Sequence, residues 1–421
     1  MTLEERAFRK VTRRLIPFLF LIYVVAYLDR VNVSFAQLQL EDDLGFSDTI
    51  FGLGAGIFSL GYVIFGVSSN LALARFGARR WLAAIMVVWG VISASMALIE
   101  GAASFYVLRF FLGAAEAGFF PGIILYLTWW FPERERTRAV ALFLTAVSAA
   151  YVAGGPLSGG LLELDGFAGL DGWQWLFIVE GVPAVVLGYV TLRFLDERPA
   201  DAEWLEPDER EFLTAEVASE VPAVPGRTRD ALSSGRVWVL GLVYFVLLAA
   251  GFGLTFFVPD LVQDRTGFSD FEVGVLSAVP YGFATVAMVM AARRGTGLLV
   301  PILVGAAGTL LTAYAQSTLL LTFGITLAAV GLLSALPRFW ALPTAFLSGT
   351  AAAAGIALVA AIGNLGGFVG PAFTGIAEDS TGGFEMPLTV LAGVLLLTAG
   401  YCRASALESR PASSEASRAP G

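Results

Sequence analysis

Apolar residues fill this chain in long blocks, separated by short polar or charged segments. A helix that crosses a bilayer needs about 20 predominantly apolar residues. Twelve blocks meet that test, at approximately 15–38, 50–70, 81–99, 104–127, 139–161, 175–195, 237–263, 271–292, 298–315, 318–336, 342–372 and 386–403. The pattern predicts an all-α membrane protein with twelve transmembrane helices. The longest polar stretch, 196–236, lies midway and divides the blocks into two sets of six. Each set is expected to form one six-helix bundle, 15–195 and 237–403, with the stretch between them as a linker. Within that linker, Pro207 to Ser219 reads as a short surface helix with Phe212, Leu213 and Val217 on one side. Residues 1–14 read as a polar N-terminal segment, and the Ser/Ala/Pro-rich 404–421 as a disordered tail. The loop Asn70 to Arg80 has its expected counterpart, shortened, at Ala292 to Gly297.

Charge placement orients the chain. Cytoplasmic loops collect Lys and Arg. With both termini inside, the inner segments hold 23 of the 26 Lys and Arg. The opposite loops are acidic, with Glu41, Asp42, Asp43, Glu163, Asp165, Asp171, Glu378 and Asp379. The expected location is therefore the cell (inner) membrane, with both ends cytoplasmic and the lipid bilayer as the protein's solvent. The apolar run at 15–38 follows a basic flank. It is too long, too charged and too poor in small residues to read as a cleaved signal peptide.

Composition narrows the chemistry. Of the 421 residues, 57% are hydrophobic and 14% charged, and the net charge is −9. The mean hydropathy is +0.75. An acidic chain without a basic groove is not expected to bind nucleic acid. Cys402 is the only cysteine and there is no histidine, so neither a disulfide within the chain nor a His- or Cys-based metal site is expected. No Walker loop, metal motif or Ser–His–Asp triad occurs, so the chain is not expected to be an enzyme or to carry a cofactor or metal. Proton handling near neutral pH then falls to carboxylates.

Charges inside the apolar blocks are the candidate chemistry. Asp29 and Arg30 stand side by side near the end of the first, in Tyr27-Leu28-Asp29-Arg30-Val31-Asn32. A charge at bilayer depth costs at least about 2.5–3.5 kcal/mol, so such residues face protein or a wet cavity. On a helix the two point about 100° apart, so one can face the cavity and the other the fourth span. A helix-end pair at the outer interface is the plainer reading. The fourth span holds Arg109 and Glu116, seven residues apart and on nearly one face. Gly113, Ala114, Ala117 and Gly118 beside them would let another helix approach closely. These charges either lock helices together or form a network that rearranges. Tyr27 and Tyr62 could belong to an interfacial belt or to the cavity. Asn364, set among glycines, could bond a neighbouring helix or a ligand. Glu180 is expected to be structural, and Phe339 and Trp340 to anchor at the membrane interface.

The segments Tyr27 to Asn32, Ser69 to Trp81, Arg109 to Gly122, Trp175 to Gly181, and Phe339 to Pro343 with Gly363 to Pro371 carry a resemblance. Together they resemble the major facilitator superfamily, specifically its anion:cation symporter branch. The resemblance implies two pseudo-symmetric six-helix bundles and alternating access. It implies a monomer that takes up an organic carboxylate anion, of tartrate, sugar-acid or aromatic-acid type, together with protons. It assigns proton coupling to Asp29 and Glu116, anion binding to Arg30, and pairing with the acids to Arg109. Tyr27, Tyr62 and Asn364 match cavity positions that hydrogen-bond substrate. Val147 and the Phe252–Pro259 segment are less polar than in many relatives, which points away from a heavily hydroxylated substrate. An anion exchanger without net proton movement, and a ligand sensor that moves nothing, stay open.

Overall fold

A computed structural model describes residues 2–219, 233–292, 297–346 and 349–405. Its elements are helical, and no strand occurs among the described residues. The first set of six comprises α1 (Leu3–Leu44), α2 (Asp48–Phe76), α3 (Ala78–Ser95), the broken pair α4 (Ala102–Glu116) and α5 (Phe119–Thr128), α6 (Glu133–Leu162) and α7 (Gly172–Phe194). The linker helix is α8 (Pro207–Ala218). The second set comprises the broken pair α9 (Gly235–Thr255) and α10 (Val258–Thr266), then α11 (Asp270–Ala292), α12 (Leu299–Ala313), α13 (Thr318–Phe346), α14 (Gly349–Thr381) and α15 (Glu385–Ala404). Eleven of these spans are long and apolar enough to cross a membrane. The twelfth, α12, is apolar but shorter. The expected two bundles of six are therefore present, and the chain is a multi-pass membrane protein.

The N-terminal segment, from Leu3, continues directly into the first span. The helix begins at Leu3, where Thr2 and Glu5 form a capping box, and runs unbroken through Arg6–Arg14 into the apolar run. At about 1.5 Å per residue this single helix far outreaches a bilayer core of about 30 Å. Phe339 and Trp340, expected to anchor at the interface, pack inside the protein instead. The helix holding them continues to Phe346, and Phe339 is fully buried with Trp340 packed beside it. The shortened counterpart loop, Ala292 to Gly297, lies largely outside the described residues.

Among the described residues, the two bundles pack closely at one end. There, Gly52 abuts Pro371, Gly56 abuts Phe368, and Gly155 abuts Gly274. Glycine permits these approaches because a Cβ at Gly56 would stand 2.6 Å from the Phe368 carbonyl. Polar contacts reinforce the seam. Gln39 donates to Asp270 at 2.8 Å, and the Thr49 N–H donates to Asp379 at 2.9 Å. This is the end that carries the acidic loops. Toward the arginine-rich end, α2 becomes more exposed among the described residues. Along α2, Phe51, Ala55 and Phe58 are buried, whereas Ile64, Val67 and Leu71 are more than 60% exposed.

Candidate functional site

Arg30 on α1 and Glu116 at the end of α4 form an ion pair, Nη2 to Oε2, at 2.8 Å. Local sequence explains the meeting. Gly113 lets the α2 backbone at Phe58 settle onto α4, and Gly61 receives the backbone of Phe110 and Ala114. The helix then breaks at Ala117–Gly118, directly after Glu116. The small residues read from the sequence thus do bring another helix close. The Glu116 side chain is 1% exposed, whereas that of Arg30 is 19% exposed. The pair is therefore reached from the Arg30 side. Three rings surround the guanidinium, Tyr27 at 5.2 Å, Phe58 at 5.0 Å and Tyr62 at 5.3 Å from their centroids. Cation–π attraction at such distances holds a guanidinium without neutralising it. Arg30 Nε and Glu116 Oε1 remain without hydrogen-bond partners.

The other charges separate from this pair. Asp29 turns to α3, where Trp89 Nε1 and Ser93 Oγ each donate to its carboxylate at 2.7 Å. It is 0% exposed. The divergence expected of adjacent helical residues is borne out, but Asp29 faces the third span and Arg30 the fourth, and Asp29 has no opening onto the crevice. Arg109 directs its hydrogen bonds to backbone. Its guanidinium donates to the Gly54 and Ala55 carbonyls of α2, each at 3.2 Å, and not to an acid. Glycine-mediated contact of α2 with α4 brings those carbonyls within reach, so Arg109 joins two helices. Glu180 is buried on α7 and accepts from Ser158 Oγ of α6 at 2.8 Å, in keeping with a structural role.

The second bundle supplies an aromatic wall. Tyr244 stacks on Phe339 at 4.9 Å and meets Trp340 edge-on at 5.0 Å. It also packs on Gly363, one residue before Asn364. Asn364 is half-buried and donates to the Ala360 carbonyl of its own helix at 2.9 Å. Its amide N–H₂ therefore bonds within α14, and among the described residues it makes no bond to a neighbouring helix.

Sequence reasoning missed one feature between the bundles. Tyr151 of α6 and Tyr281 of α11 stack at 4.3 Å with an interplanar angle of 9°. Tyr151 also touches Tyr27 at 6.1 Å, and Tyr281 donates to Thr255 at 3.1 Å. A small cavity lined by residues of both bundles, including Ser34, Thr255 and Ser277, borders this stack. Two hydroxylated rings in mid-span were the available signal.

Comparison with known proteins agrees with this architecture. A family profile described as Major Facilitator Superfamily matches residues 19–371. A protein of Agrobacterium vitis named "Putative tartrate transporter" is 47% identical over 408 residues, covering 94% of this chain and 90% of that protein. A protein of Acinetobacter baumannii named "Quinolone resistance transporter" is 40% identical over 408 residues, covering 94% of each chain. Among solved structures, a bacterial homologue of the human lysosomal transporter Spinster, in an inward-facing and unoccupied conformation, superposes with a TM-score of 0.80. It is 17% identical and covers 97% of this chain and 99% of its own, so it speaks to fold alone. A family profile that spans most of the chain, with named transporters 40–47% identical over nearly all of it, leads to one conclusion: the chain belongs to the Major Facilitator Superfamily and is a membrane transporter, not an enzyme.

Proposed function

We propose that this transporter carries a small organic carboxylate in symport with protons, by alternating access. The observation that carries the reading is the Arg30–Glu116 pair at 2.8 Å, open to the crevice only on the Arg30 side. A guanidinium binds a carboxylate through paired N–H groups. Arg30 cannot serve both Glu116 and an incoming anion fully. A proton on Glu116 neutralises it, weakens the pair and releases the Arg30 N–H groups to substrate. Loss of that proton restores the pair and expels the anion. Substrate and proton thereby travel together because they compete through one guanidinium.

Tyr27 and Tyr62 frame the bound anion, and Asn364 offers an amide from the second bundle. Asp29 serves as a second coupling acid, acting through α1, on which it adjoins Arg30. Arg109 holds α2 to α4 and keeps Glu116 in place. The arginine-rich end lies in the cytoplasm, as the charge asymmetry favours. The described conformation, sealed at the acidic end, is then inward-facing. The A. vitis relative's printed name makes tartrate the first substrate to try. The A. baumannii relative's name keeps bulkier aromatic acids on the same panel.

The test is uptake into proteoliposomes of purified protein, with a panel of labelled carboxylates, an imposed inward proton gradient and a protonophore control. Accumulation above equilibrium that collapses with protonophore is expected. Anion exchange that is indifferent to the gradient would overturn symport. Binding without flux would point to a sensor.

A further inference from the structure

We infer that a cleft between the first turns of α1 and the linker is a binding site for the headgroup of an anionic phospholipid. The cleft has a volume of about 720 Å³. Arg6, Arg9, Lys10, Arg13 and Arg14 line its α1 side, five cations within nine residues of one helix. Like charges four apart on a helix repel, and this stretch contains three such pairs. The linker offsets only part of that charge. Lys10 pairs with Glu209 at 2.8 Å and Arg6 with Asp208 at 3.3 Å. Glu206, the remaining acid of the lining, is the N-cap of α8 and accepts from its first turn.

Arg14 is held between two rings, 4.7 Å from the Phe194 centroid and 4.9 Å from that of Trp204. Its Nε is buried without a partner. Arg9 and Arg13 are exposed, and neither forms an ion pair among the described residues. The cleft therefore keeps three guanidinium groups without a carboxylate partner, those of Arg9 and Arg13 exposed and that of Arg14 ring-held, and guanidinium forks match phosphate oxygens.

Depth selects the source of that phosphate. The apolar run begins at Leu15, immediately after Arg14. At about 1.5 Å per residue, Arg9 to Arg14 lie within about 10 Å of the hydrocarbon edge, which is headgroup depth. Basic clusters at that level attract anionic lipids. A lipid phosphate seated there would neutralise α1 where it meets α8 and tie the linker to the membrane.

Native mass spectrometry of the delipidated full chain tests the site, with phosphatidylglycerol, cardiolipin or phosphatidylcholine added in turn. The wild type is expected to bind the two anionic lipids at least about tenfold more tightly than phosphatidylcholine. The double substitution Arg9→Gln, Arg13→Gln is expected to remove most of that preference, while Arg9→Lys, Arg13→Lys keeps the charge without the fork and retains part of it. The double substitution Arg75→Gln, Arg80→Gln, at exposed positions on the same end but outside the cleft, is expected to leave it intact. Equal lipid preference in the Arg9/Arg13 glutamine variant and the wild type overturns the inference. So does displacement of lipid by inorganic phosphate or glycerol phosphate at millimolar concentration, which would mark a site for a free anion. The readout is a lipid count, so it stands whether or not the carboxylate reading survives.

Discussion

Arg30 and Glu116 meet at 2.8 Å across two helices that are 86 positions apart in sequence, and only Arg30 faces the opening. That asymmetry decides what each substitution does. Glu116→Gln keeps an acceptor for Arg30 but removes the proton site. Uphill uptake is expected to fall at least about tenfold, with counterflow exchange retained. Arg30→Gln instead strands a buried carboxylate, which costs about 3–5 kcal/mol when one partner of a buried pair is lost. It is expected to lower the melting temperature and abolish binding. Parallel uptake, counterflow and thermal-shift measurements separate the two. Full uphill transport by Glu116→Gln would remove Glu116 from the coupling mechanism.

Asp29 makes a different prediction because its neighbours differ. Trp89 and Ser93 donate to separate oxygens of its carboxylate. In Asp29→Asn the amide oxygen still accepts from Trp89, and the Ser93 hydroxyl, which can accept as well as donate, takes the amide N–H₂. Asp29→Asn is therefore expected to leave the α1–α3 contact largely intact and to abolish proton-driven uptake while sparing counterflow. Trp89→Phe instead removes a donor and keeps the acid. Retention of uphill uptake in Asp29→Asn would assign Asp29 a purely structural part.

The stacked Tyr151 and Tyr281 bridge the bundles beside the small cavity that Ser34 lines. An aromatic pair contributes about 0.5–1.5 kcal/mol beyond its buried area. Tyr281→Ala is expected to admit solvent from the acidic end, whereas Tyr281→Phe keeps the stack. Labelling of a Ser34→Cys reporter by an impermeant maleimide, from the acidic end, measures this. The native Cys402 is buried and serves as the background control. Equal labelling rates with Tyr and Ala at 281 would show that the stack is no barrier.

Much of this arrangement is legible in the chain because lipid is a strict solvent. It forces long apolar runs, so the twelve spans stand out, and it makes Asp29, Arg30, Arg109 and Glu116 conspicuous. Helical geometry also separates Asp29 from Arg30 without any coordinates. Partners are harder to read. Nothing in the sequence ties Asp29 to Trp89 and Ser93, because periodicity assigns a face and not the helix that covers it. Arg109 looked like a partner for an acid, yet glycines on the helices around it bring backbone carbonyls closer. Phe339 and Trp340 read as interfacial because the apolar run stops at Arg338, whereas the helix continues to Phe346. The Tyr151–Tyr281 stack joins spans from different bundles, and either ring alone reads as ordinary packing.

Closure at the acidic end depends on glycine. A Cβ at Gly56 would lie 2.6 Å from the Phe368 carbonyl, and backbone cannot swing aside as a side chain can. Gly56→Val is expected to disfavour the sealed arrangement and shift the population toward opening at that end. Spin-label distances between α2 and α14 at the acidic end should lengthen, and net uptake should fall with folding intact. Unchanged distances would place the seal elsewhere along the seam.

The linker latch has a pH window. Glu209 on α8 is buried, which pushes its carboxyl up. The hydrogen bond from Lys10, the Glu206 N–H and the charges of Lys10 and Arg6 outweigh burial and hold it below its ordinary value of 4.5. The charged acids beside it are Glu206, the N-cap of its own helix, and Asp208, which pairs with Arg6. A depressed carboxylate stabilises the docked state above its unfolded pKa, and that contribution disappears as pH falls through the folded value. Docking of α8 is therefore expected to be constant from neutrality down to about pH 5 and to weaken below about pH 4. Glu209→Gln should show the weaker docking already at pH 7 and lose the pH dependence. Hydrogen exchange of the amides in 207–218 reads both effects. A wild-type helix whose protection is flat down to pH 3 would mean that packing of Leu213 and Phe212, not the Lys10–Glu209 pair, holds α8 in place.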